Sequence, residues 1–467
     1  MSKLKGLGKR LDARFPKALN VAGSVLAPIE KLVKKPVFGC HMCGQCILHS
    51  TGMTCPMECP KNIRNGPCGG VGRNGECEVD HSMTCVWLKA VDRAGKGRWT
   101  DELYQGNPSV DWSLQGQSSW INTFAGRDHH ERTAPQWQRV ELRTKRTERD
   151  DEMRSGSRFE RLLRDGHFVV TCEVNPRDSA DATELIEYVR TLEGFVDAAH
   201  VSDNSFATPK MSGTIAAGLI EMQTGVETIL HMTCRDRNRL MLQADVLGAC
   251  ATGVRNILCL GGDYPTLGDH PEAKPVFDLD STGFIRILKK MRDEGTFDSG
   301  RELKAAPRVY IGGAVGPTAP PLEFRPHRMA KKLVAGADFI TTQLMFDMDM
   351  FRGFMKRTVD LGLTEKTHIL VGVGALPGPI AARMVDKTPG CIVPEHVIDR
   401  LEAAPKGKRR AEGVKIVVEQ IQELQEIPGV SGVDIMDLMP DSWFPTAEIV
   451  EAAGLQDRPE PACNRSR

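Results

Sequence analysis

From about residue 158 onward, short β-branched runs alternate with amphipathic segments. The runs are continuously apolar, which is typical of parallel strands that are covered on both faces. The intervening segments have helical spacing, and several end on glycine, which suits a helix C-terminus. The pattern predicts eight strands, at residues 168–174, 198–203, 228–234, 256–262, 308–315, 338–344, 368–374 and 431–438.

Eight strand–helix units in roughly 280 residues fit a (β/α)8 TIM barrel better than an open doubly wound sheet. No GxGxxG motif follows the first strand, which weakens a dinucleotide-binding fold. We therefore expect an α/β protein with a barrel over residues 158–457 and a short tail over 458–467.

A different composition precedes the barrel. Residues 38–95 are rich in Gly, Pro and Asn and carry eight of the 14 cysteines, as expected of a loop-built module organised by ligands. The module begins with a C-x2-C-x2-C motif. Eight thiolates suit two four-cysteine [4Fe–4S] clusters, and zinc would accept the same ligands. The candidate metal ligands are Cys40, Cys43, Cys46, Cys55, Cys59, Cys68, Cys77 and Cys85, with His41, His49 and His81 as alternatives.

Two flanking segments complete the chain. Residues 1–37 carry nine Lys/Arg against two Asp/Glu and are interpreted as a solvated amphipathic helix rather than a targeting or docking segment. Residues 96–157 form a polar linker that we expect to pack on its neighbours through Trp99, Trp112, Trp120 and Trp137.

Charge and hydropathy exclude several classes of partner. Lys+Arg and Asp+Glu balance at 61 each, so nothing points to nucleic acid. No apolar run is long enough to span a membrane, and no secretory signal precedes the cysteines. Clustered cysteines without such a signal indicate metal ligation in a reducing cytoplasm rather than disulfides. Assembly into a homo-oligomer stays open.

Polar residues stand where the predicted strands end, which is where barrel enzymes carry their chemistry. A carboxylate inside the apolar run VVTCEV needs a partner or a task, so Glu173 is either a catalytic group or half of an internal ion pair. His231 fits a satisfied core histidine as well as a ligand contact. Further candidates at these ends are Ser202, Asp203, Gly262, Asp263 and Gln343.

Several of these residues lie in recognisable motifs. The stretch HMTCRDRNRLMLQADVLGACATGVRNILCLGGDYP closely resembles the methylenetetrahydrofolate reductase family, and VTCEVNP, ADFITTQLMFD and GVDIMDLMP agree with it in order. The resemblance covers about residues 165–457. It implies a flavin-containing barrel that reduces 5,10-methylenetetrahydrofolate to 5-methyltetrahydrofolate.

The same resemblance assigns roles. It implies that Glu173 is the general acid that opens the folate ring, that Asp263 stabilises the resulting cation beside flavin and pterin, and that Gln343 binds the pterin. Flavin would then deliver a hydride to the methylene carbon. The residues that the resemblance places at the flavin are Ser202, Asp203, His231, Gly262, Asp263, Lys331, Lys332 and Ala337.

The chain also departs from the family pattern. Gly261 stands where well-known bacterial members have arginine, and the loops after strands 5 and 7 lack familiar polar contacts. FAD is favoured over FMN, and either an electron-donor protein or NAD(P)H supplies the electrons. The cysteine module resembles a domain fused to folate reductases of acetogen-like type, which implies an iron–sulfur electron inlet. The alternative function is a folate-binding or methyl-transfer-coupled barrel with a zinc-bound adaptor module.

Overall fold

The computed structural model describes residues 2–97, 100–128, 152–436 and 445–459. Each of the eight predicted strands is present, and together they close a parallel barrel in sequence order. The predicted (β/α)8 architecture is therefore confirmed. The strands β1–β8 span Val169–Val174, Ala198–Val201, Thr228–Thr233, Asn256–Leu260, Tyr310–Val315, Phe339–Leu344, His368–Val373 and Val430–Ile435.

Helices surround this barrel, and further helices form part of the segment that precedes it. In the described part of the chain, no helix is long and apolar enough to cross a membrane. The helices α1–α16 span Ser2–Arg14, Pro16–Phe38, Val86–Gly97, Thr100–Leu103, Ser119–Ala125, Arg158–Arg164, Thr183–Arg190, Gly213–Gln223, Arg239–Ala251, Ser281–Asp293, Arg325–Ala335, Met348–Asp360, Pro379–Val385, Glu395–Ala403, Arg409–Gln425 and Thr446–Ala452.

Helix α6 closes the end of the barrel at which the strands begin. Its residues Phe159, Leu162 and Leu163 are buried against a layer of inward-pointing residues that includes Val169 and Phe339. The larger core lies between the strands and the outer helices. With one end closed by apolar packing, the opposite end is left for chemistry, as in other barrels of this kind.

The N-terminal segment differs in detail from the expected single helix. It forms two helices, α1 and α2, which both contact α5. On α2, the buried Glu30 accepts hydrogen bonds from Lys34 and Ser118. Apolar side chains of α2 remain exposed, including Leu32 at 79%. The segment is thus amphipathic, with its buried face held by an ion pair.

The linker tryptophans were expected to pack on neighbouring elements. Trp112 donates a hydrogen bond to Asp278 (2.8 Å), and the Lys34 ammonium lies 5.2 Å from the centre of the Trp120 ring. Both tryptophans remain partly exposed. Trp99 and Trp137 lie outside the described residues.

The cysteine-rich module packs directly on the barrel. Asp280, the N-cap of α10, accepts hydrogen bonds from the backbone N–H of Arg64 (3.1 Å) and from Asn65 (2.9 Å). Arg325 at the start of α11 donates to the backbone oxygen of Cys68 (2.8 Å). Since these bonds are buried, separating the module from the barrel would leave charged groups without partners.

A lysine-centred contact also lies in this interface. The Nζ atom of Lys331 on α11 lies 5.4 Å from the centre of the Trp87 ring and 5.6 Å from that of Phe324. It has no hydrogen-bond partner among the described residues. Burial and the nearby charge of Arg328 lower the pKa of Lys331 to about 7. The two ring faces offset part of that cost.

We expect Lys331→Met to raise the free energy of unfolding by about 1–3 kcal/mol near neutral pH, because it removes a desolvated charge and keeps the packing. The folded-state pKa is depressed, so the cost of the lysine is largest below about pH 7 and disappears above about pH 10.5. Urea unfolding at both ends of this range measures the difference. The matched control is Lys356→Met on the exposed face of α12, which should change little. A loss of stability on replacing Lys331 would contradict this account.

Candidate active site

Candidate residues gather where β1 to β4 end. Glu173 is half-buried near the end of β1 and is paired in register with His200 of β2. Ser202 follows β2, and its hydroxyl donates to Asn175 (2.6 Å) in the loop after β1. His231 is an inward residue of β3, and Asp263 follows β4. The structure therefore brings together four candidates from separate parts of the sequence.

Asp203 ties the ends of β2 and β3 together. Its carboxylate accepts hydrogen bonds from the backbone N–H of Thr233 (2.8 Å) and from the Arg237 guanidinium (2.7 and 3.1 Å). Arg237 also binds Asp245 (2.7 Å). We call the opening at the carboxyl ends of the strands the mouth of the barrel. Because Asp203 is buried and already forms an ion pair with an arginine, its role is to fix the shape of this mouth rather than to bind a ligand.

Asp263 supports a strained loop. It accepts a hydrogen bond from the backbone N–H of Phe206 (3.0 Å). Asn204, Phe206 and Ala207 all have positive φ angles, which is costly for residues other than glycine. The Phe206 side chain is exposed beside the site. Sequence reasoning did not identify this aromatic residue, because nothing in the local pattern marks the unusual backbone.

The loop after β4 leaves room for a flat ligand. A Cβ atom added to Gly261 would meet nothing within 4 Å. Gly262 has a φ of +92°, and a Cβ there would lie 2.9 Å from Cβ of Arg235. A side chain is thus excluded at Gly262 and absent at Gly261, which gives a ligand access to the backbone.

The cysteine module reaches this mouth. Lys61 donates a hydrogen bond to the backbone oxygen of Gly262 (2.8 Å) and forms a buried ion pair with Glu78. On the other side, a Cβ added to Gly390 would lie 3.3 Å from the carbonyl oxygen of Gly69 and 3.9 Å from Cγ of Gln343. The module therefore lies beside both Asp263 and Gln343.

Three predicted flavin contacts have other surroundings. Lys331 lies between aromatic rings at the module interface, as described above. Lys332 is buried in the layer between strands and helices, where its ammonium donates to the backbone oxygen of Ala314. Ala337 is buried in the connection from α11 to β6. In this structure, neither lysine belongs to the Ser202–Asp263 group.

The barrel interior holds a polar chain that sequence reasoning missed. His200 Nδ1 and His231 Nε2 are 2.9 Å apart, and His200 Nε2 lies 3.7 Å from Asp434 Oδ1 on β8. Burial lowers the pKa of His200 and His231 to about 3 each and raises the pKa of Asp434 to about 7. The strands AAHV and VSGVDI each carry one polar residue at an inward position, which was the available signal.

The eight clustered cysteines line two separate cavities. The outer cysteine site consists of Cys40, Cys43, Cys46 and Cys55, and the inner cysteine site consists of Cys59, Cys68, Cys77 and Cys85. Lys61 and Glu78 also line the inner site, which places it next to the barrel mouth. The division into two sets of four was open in the sequence, since spacing alone does not pair distant cysteines.

Buried cations accompany each site. Lys34 and Arg64 interact electrostatically with cysteines of the outer site, and Lys61 and Arg325 with cysteines of the inner site. Burial raises the pKa of Cys55 to about 11 and that of Cys59 to about 12. A ligand must therefore displace thiol protons, and the surrounding positive charge suits thiolates.

The thiol groups are not arranged for a single ion. Among the described residues, no three His, Cys, Asp or Glu side chains form a group that could hold one metal ion. The described cysteines are all free of disulfides. The outer and inner cavities each enclose about 20 Å³.

Comparison with known families decides the barrel's identity. The model described as methylenetetrahydrofolate reductase matches residues 158–454, which is more than half of the chain. The chain belongs to the methylenetetrahydrofolate reductase family. A second model, described as methylene-tetrahydrofolate reductase C terminal, matches residues 21–113 and so contains both cysteine sites. The expected family is confirmed.

Named relatives in the methylenetetrahydrofolate reductase family come from distant organisms. A probable methylenetetrahydrofolate reductase (NADPH) of Caenorhabditis elegans is 30% identical over 258 residues, covering 52% of this chain and 36% of that protein. Methylenetetrahydrofolate reductase 2 of Schizosaccharomyces pombe is 25% identical, covering 44% and 32%. The 5,10-methylenetetrahydrofolate reductase of Pectobacterium carotovorum is 29% identical, covering 31% and 43%. The chain thus spans less than half the length of these relatives.

We expect Asp203→Asn to lower the free energy of unfolding by about 3 kcal/mol in the absence of any cofactor, because it leaves the Arg237 charge partly unpaired. Urea unfolding measures this loss. Asp245→Asn is the matched control, since Asp245 binds the same arginine from a more exposed position and should cost about 1 kcal/mol or less. Unchanged stability with weaker flavin binding would instead make Asp203 a cofactor ligand.

Proposed function

We propose that this member of the methylenetetrahydrofolate reductase family reduces 5,10-methylenetetrahydrofolate to 5-methyltetrahydrofolate at the carboxyl end of the barrel, with electrons entering through the cysteine module. One observation carries the proposal. Lys61 and the Cys68–Gly70 loop bring the inner cysteine site to the mouth at which Asp263 and Gln343 lie. A redox module in that position serves a reductase directly.

The folate chemistry falls to two carboxyl groups. Glu173 acts as general acid: its proton goes to a ring nitrogen of the folate, the adjacent carbon–nitrogen bond breaks, and an electrophilic iminium forms. Its half-buried place on a rigid strand suits that task. Asp263 supplies negative charge to the cation, and Gln343 offers an amide for hydrogen bonds to the pterin.

The mouth fits a flavin in part. Ser202, His231, Gly262 and Asp263 form one edge of the opening, and the bare backbone at Gly261 admits a flat ring. Lys331 lies against the Trp87 ring and Lys332 donates to a backbone oxygen, so we assign no phosphate contact to them. When bound, flavin supplies hydride chemistry, and FAD is favoured over FMN on the family resemblance.

We propose that the module binds two iron–sulfur clusters, each held by four cysteines. The outer and inner sites would each hold one, and the clusters would supply one-electron transfer. The division of the eight cysteines into two sets of four and the buried cations beside each set support two clusters. A ferredoxin-like or flavoprotein donor at the outer site follows from this order.

Glu173→Gln tests the assigned acid. We expect turnover of methylenetetrahydrofolate with a chemical reductant to fall by about 10²–10⁴-fold, while flavin content and absorption spectrum stay unchanged, because glutamine keeps the shape but has no acidic proton. Glu187→Gln on the exposed face of α7 is the matched control. Turnover at the wild-type rate in the Glu173 variant would remove this residue from the mechanism.

Paired cysteine replacements test the module. In protein purified without oxygen, Cys40→Ser/Cys43→Ser and Cys77→Ser/Cys85→Ser should each lose about half of the iron and acid-labile sulfide, because each pair disables one four-cysteine site. Metal, sulfide and visible-absorption measurements report this directly. Cys250→Ser, outside the module, is the control and should retain both. Zinc without iron or sulfide in the unmodified protein would favour the adaptor function instead.

A further inference from the structure

The barrel interior contains polar groups to which the proposed reaction gives no proton-transfer role. Asp434, His200 and His231 come from β8, β2 and β3 and form a continuous row. The two imidazole rings share a hydrogen-bond distance of 2.9 Å, and the outer nitrogen of His200 faces Asp434 at 3.7 Å. Below this row the interior is filled by the apolar layer on α6. Burying three ionisable side chains costs free energy, so their presence here indicates a functional role.

Exposure changes along the row. His200 is 0% exposed and Asp434 is 1% exposed, whereas His231 is half-buried and belongs to the group at the barrel mouth. The row therefore has a closed end at Asp434 and an open end at His231. His200 Nε2 has no hydrogen-bond partner in the described part of the chain, so its contact with Asp434 is poised rather than formed.

The surroundings of the row define its charge. Thr171 on β1 donates a hydrogen bond to Asp434 (3.0 Å), and Glu173 on the same strand is paired in register with His200. Asp203 acts electrostatically on His231, but its charge is balanced by Arg237. Burial favours the neutral forms of all three members, so below about pH 7 the row holds one carboxylic acid and two neutral rings.

One N–H must lie between the two imidazole rings. If His200 Nδ1 donates to His231 Nε2, then His200 Nε2 is an acceptor and faces the acidic O–H of Asp434. If His231 Nε2 donates instead, His200 carries its proton on Nε2 and faces an Asp434 carboxylate. The second arrangement holds one proton fewer than the first, because the proton on His231 Nδ1 has left the row, and the rings are neutral in both.

We propose that Asp434, His200 and His231 form a proton relay that stores one proton at the closed end and releases it at the barrel mouth. The O–H bond of Asp434 breaks as an N–H bond forms at His200 Nε2. The N–H bond at His200 Nδ1 breaks as one forms at His231 Nε2. The proton on His231 Nδ1 then leaves to an acceptor at the mouth, and no electrons move along the row.

The role of the relay rests on the proposed function, because the relay would supply a proton to the proposed reduction. A hydride donor brings its proton with its electrons, but an iron–sulfur module delivers electrons alone. Reduction of methylenetetrahydrofolate takes up two electrons and two protons, of which Glu173 provides one. With electrons arriving through the inner cysteine site, the second proton must come from protein or solvent, and the row ends at the required place.

Infrared spectroscopy tests the stored proton without requiring flavin, folate or turnover. The difference between the wild-type and Asp434→Asn spectra near pH 6 should contain the carbonyl stretch of one protonated carboxyl group, since Glu221, whose pKa burial also raises to about 7, contributes equally to both proteins. The band should disappear as the pH rises through about 7–8, because the folded-state pKa of this acid is raised. His396→Gln on the exposed face of α14 is the control. A spectrum of Asp434→Asn identical to the wild type would overturn the relay, whatever the protein's activity.

A kinetic measurement distinguishes a relay from a buried acid with a structural role. Reduction of the protein-bound flavin by electrons supplied through the module should slow by at least about tenfold in Asp434→Asn and in His200→Phe, with flavin content retained. Borohydride, a hydride donor, should reduce the flavin of both variants at the wild-type rate. Equal slowing with both reductants would overturn the relay. If His200→Phe does not fold, the isosteric Asp434→Asn decides alone. Protein that binds no flavin would count against the proposed function, while the infrared result would still judge the stored proton.

Discussion

The hydrogen bond from Lys61 to the backbone oxygen of Gly262 joins the two halves of the molecule where the chemistry is expected. Lys61 is buried, and although burial lowers the pKa of its ammonium, the charge of Glu78 raises it above the ordinary value. The lysine therefore stays charged, and its bond to a carbonyl oxygen has the strength of a charge-assisted contact. The Lys61 side chain thus connects the loop carrying Asp263 directly to the wall of the inner cysteine site.

The barrel could be predicted from the sequence, whereas the placement of the module could not. A parallel strand buried on both faces is apolar along most of its length, so each strand from β1 to β8 can be recognised from its own short stretch of sequence. The module has no such signal, because its residues adopt turns whose partners lie far away. Asp280, for example, caps α10 as an ordinary helix start, yet it also anchors Asn65, 215 residues earlier. Nothing in the spacing of either residue indicates that contact.

The candidate site divides in a similar way. Glu173, Ser202 and Asp263 were identifiable because each stands at a strand end, where barrel topology forces neighbours together. Lys331 and Lys332 lie on a helix, where the side-chain direction depends on what covers it, and the cysteine module covers Lys331 with aromatic rings. His200 was overlooked because a single histidine in an apolar run is usually a satisfied core residue. Its proposed role becomes visible only from its contacts with His231 and Asp434, which lie on other strands.

The position of the module connects these observations. If electrons enter through cysteine-bound clusters, they pass the Lys61 contact without accompanying protons. Negative charge is costly in a poorly solvated mouth, so each added electron needs a compensating proton. Solvent access from the side of β4 and β6 is restricted by the module itself, which lies against Gly262 and Gly390. A proton source inside the barrel answers that restriction. A hydride-fed barrel would have no such need, so the proposed relay depends on the proposed entry of electrons through the cysteine module.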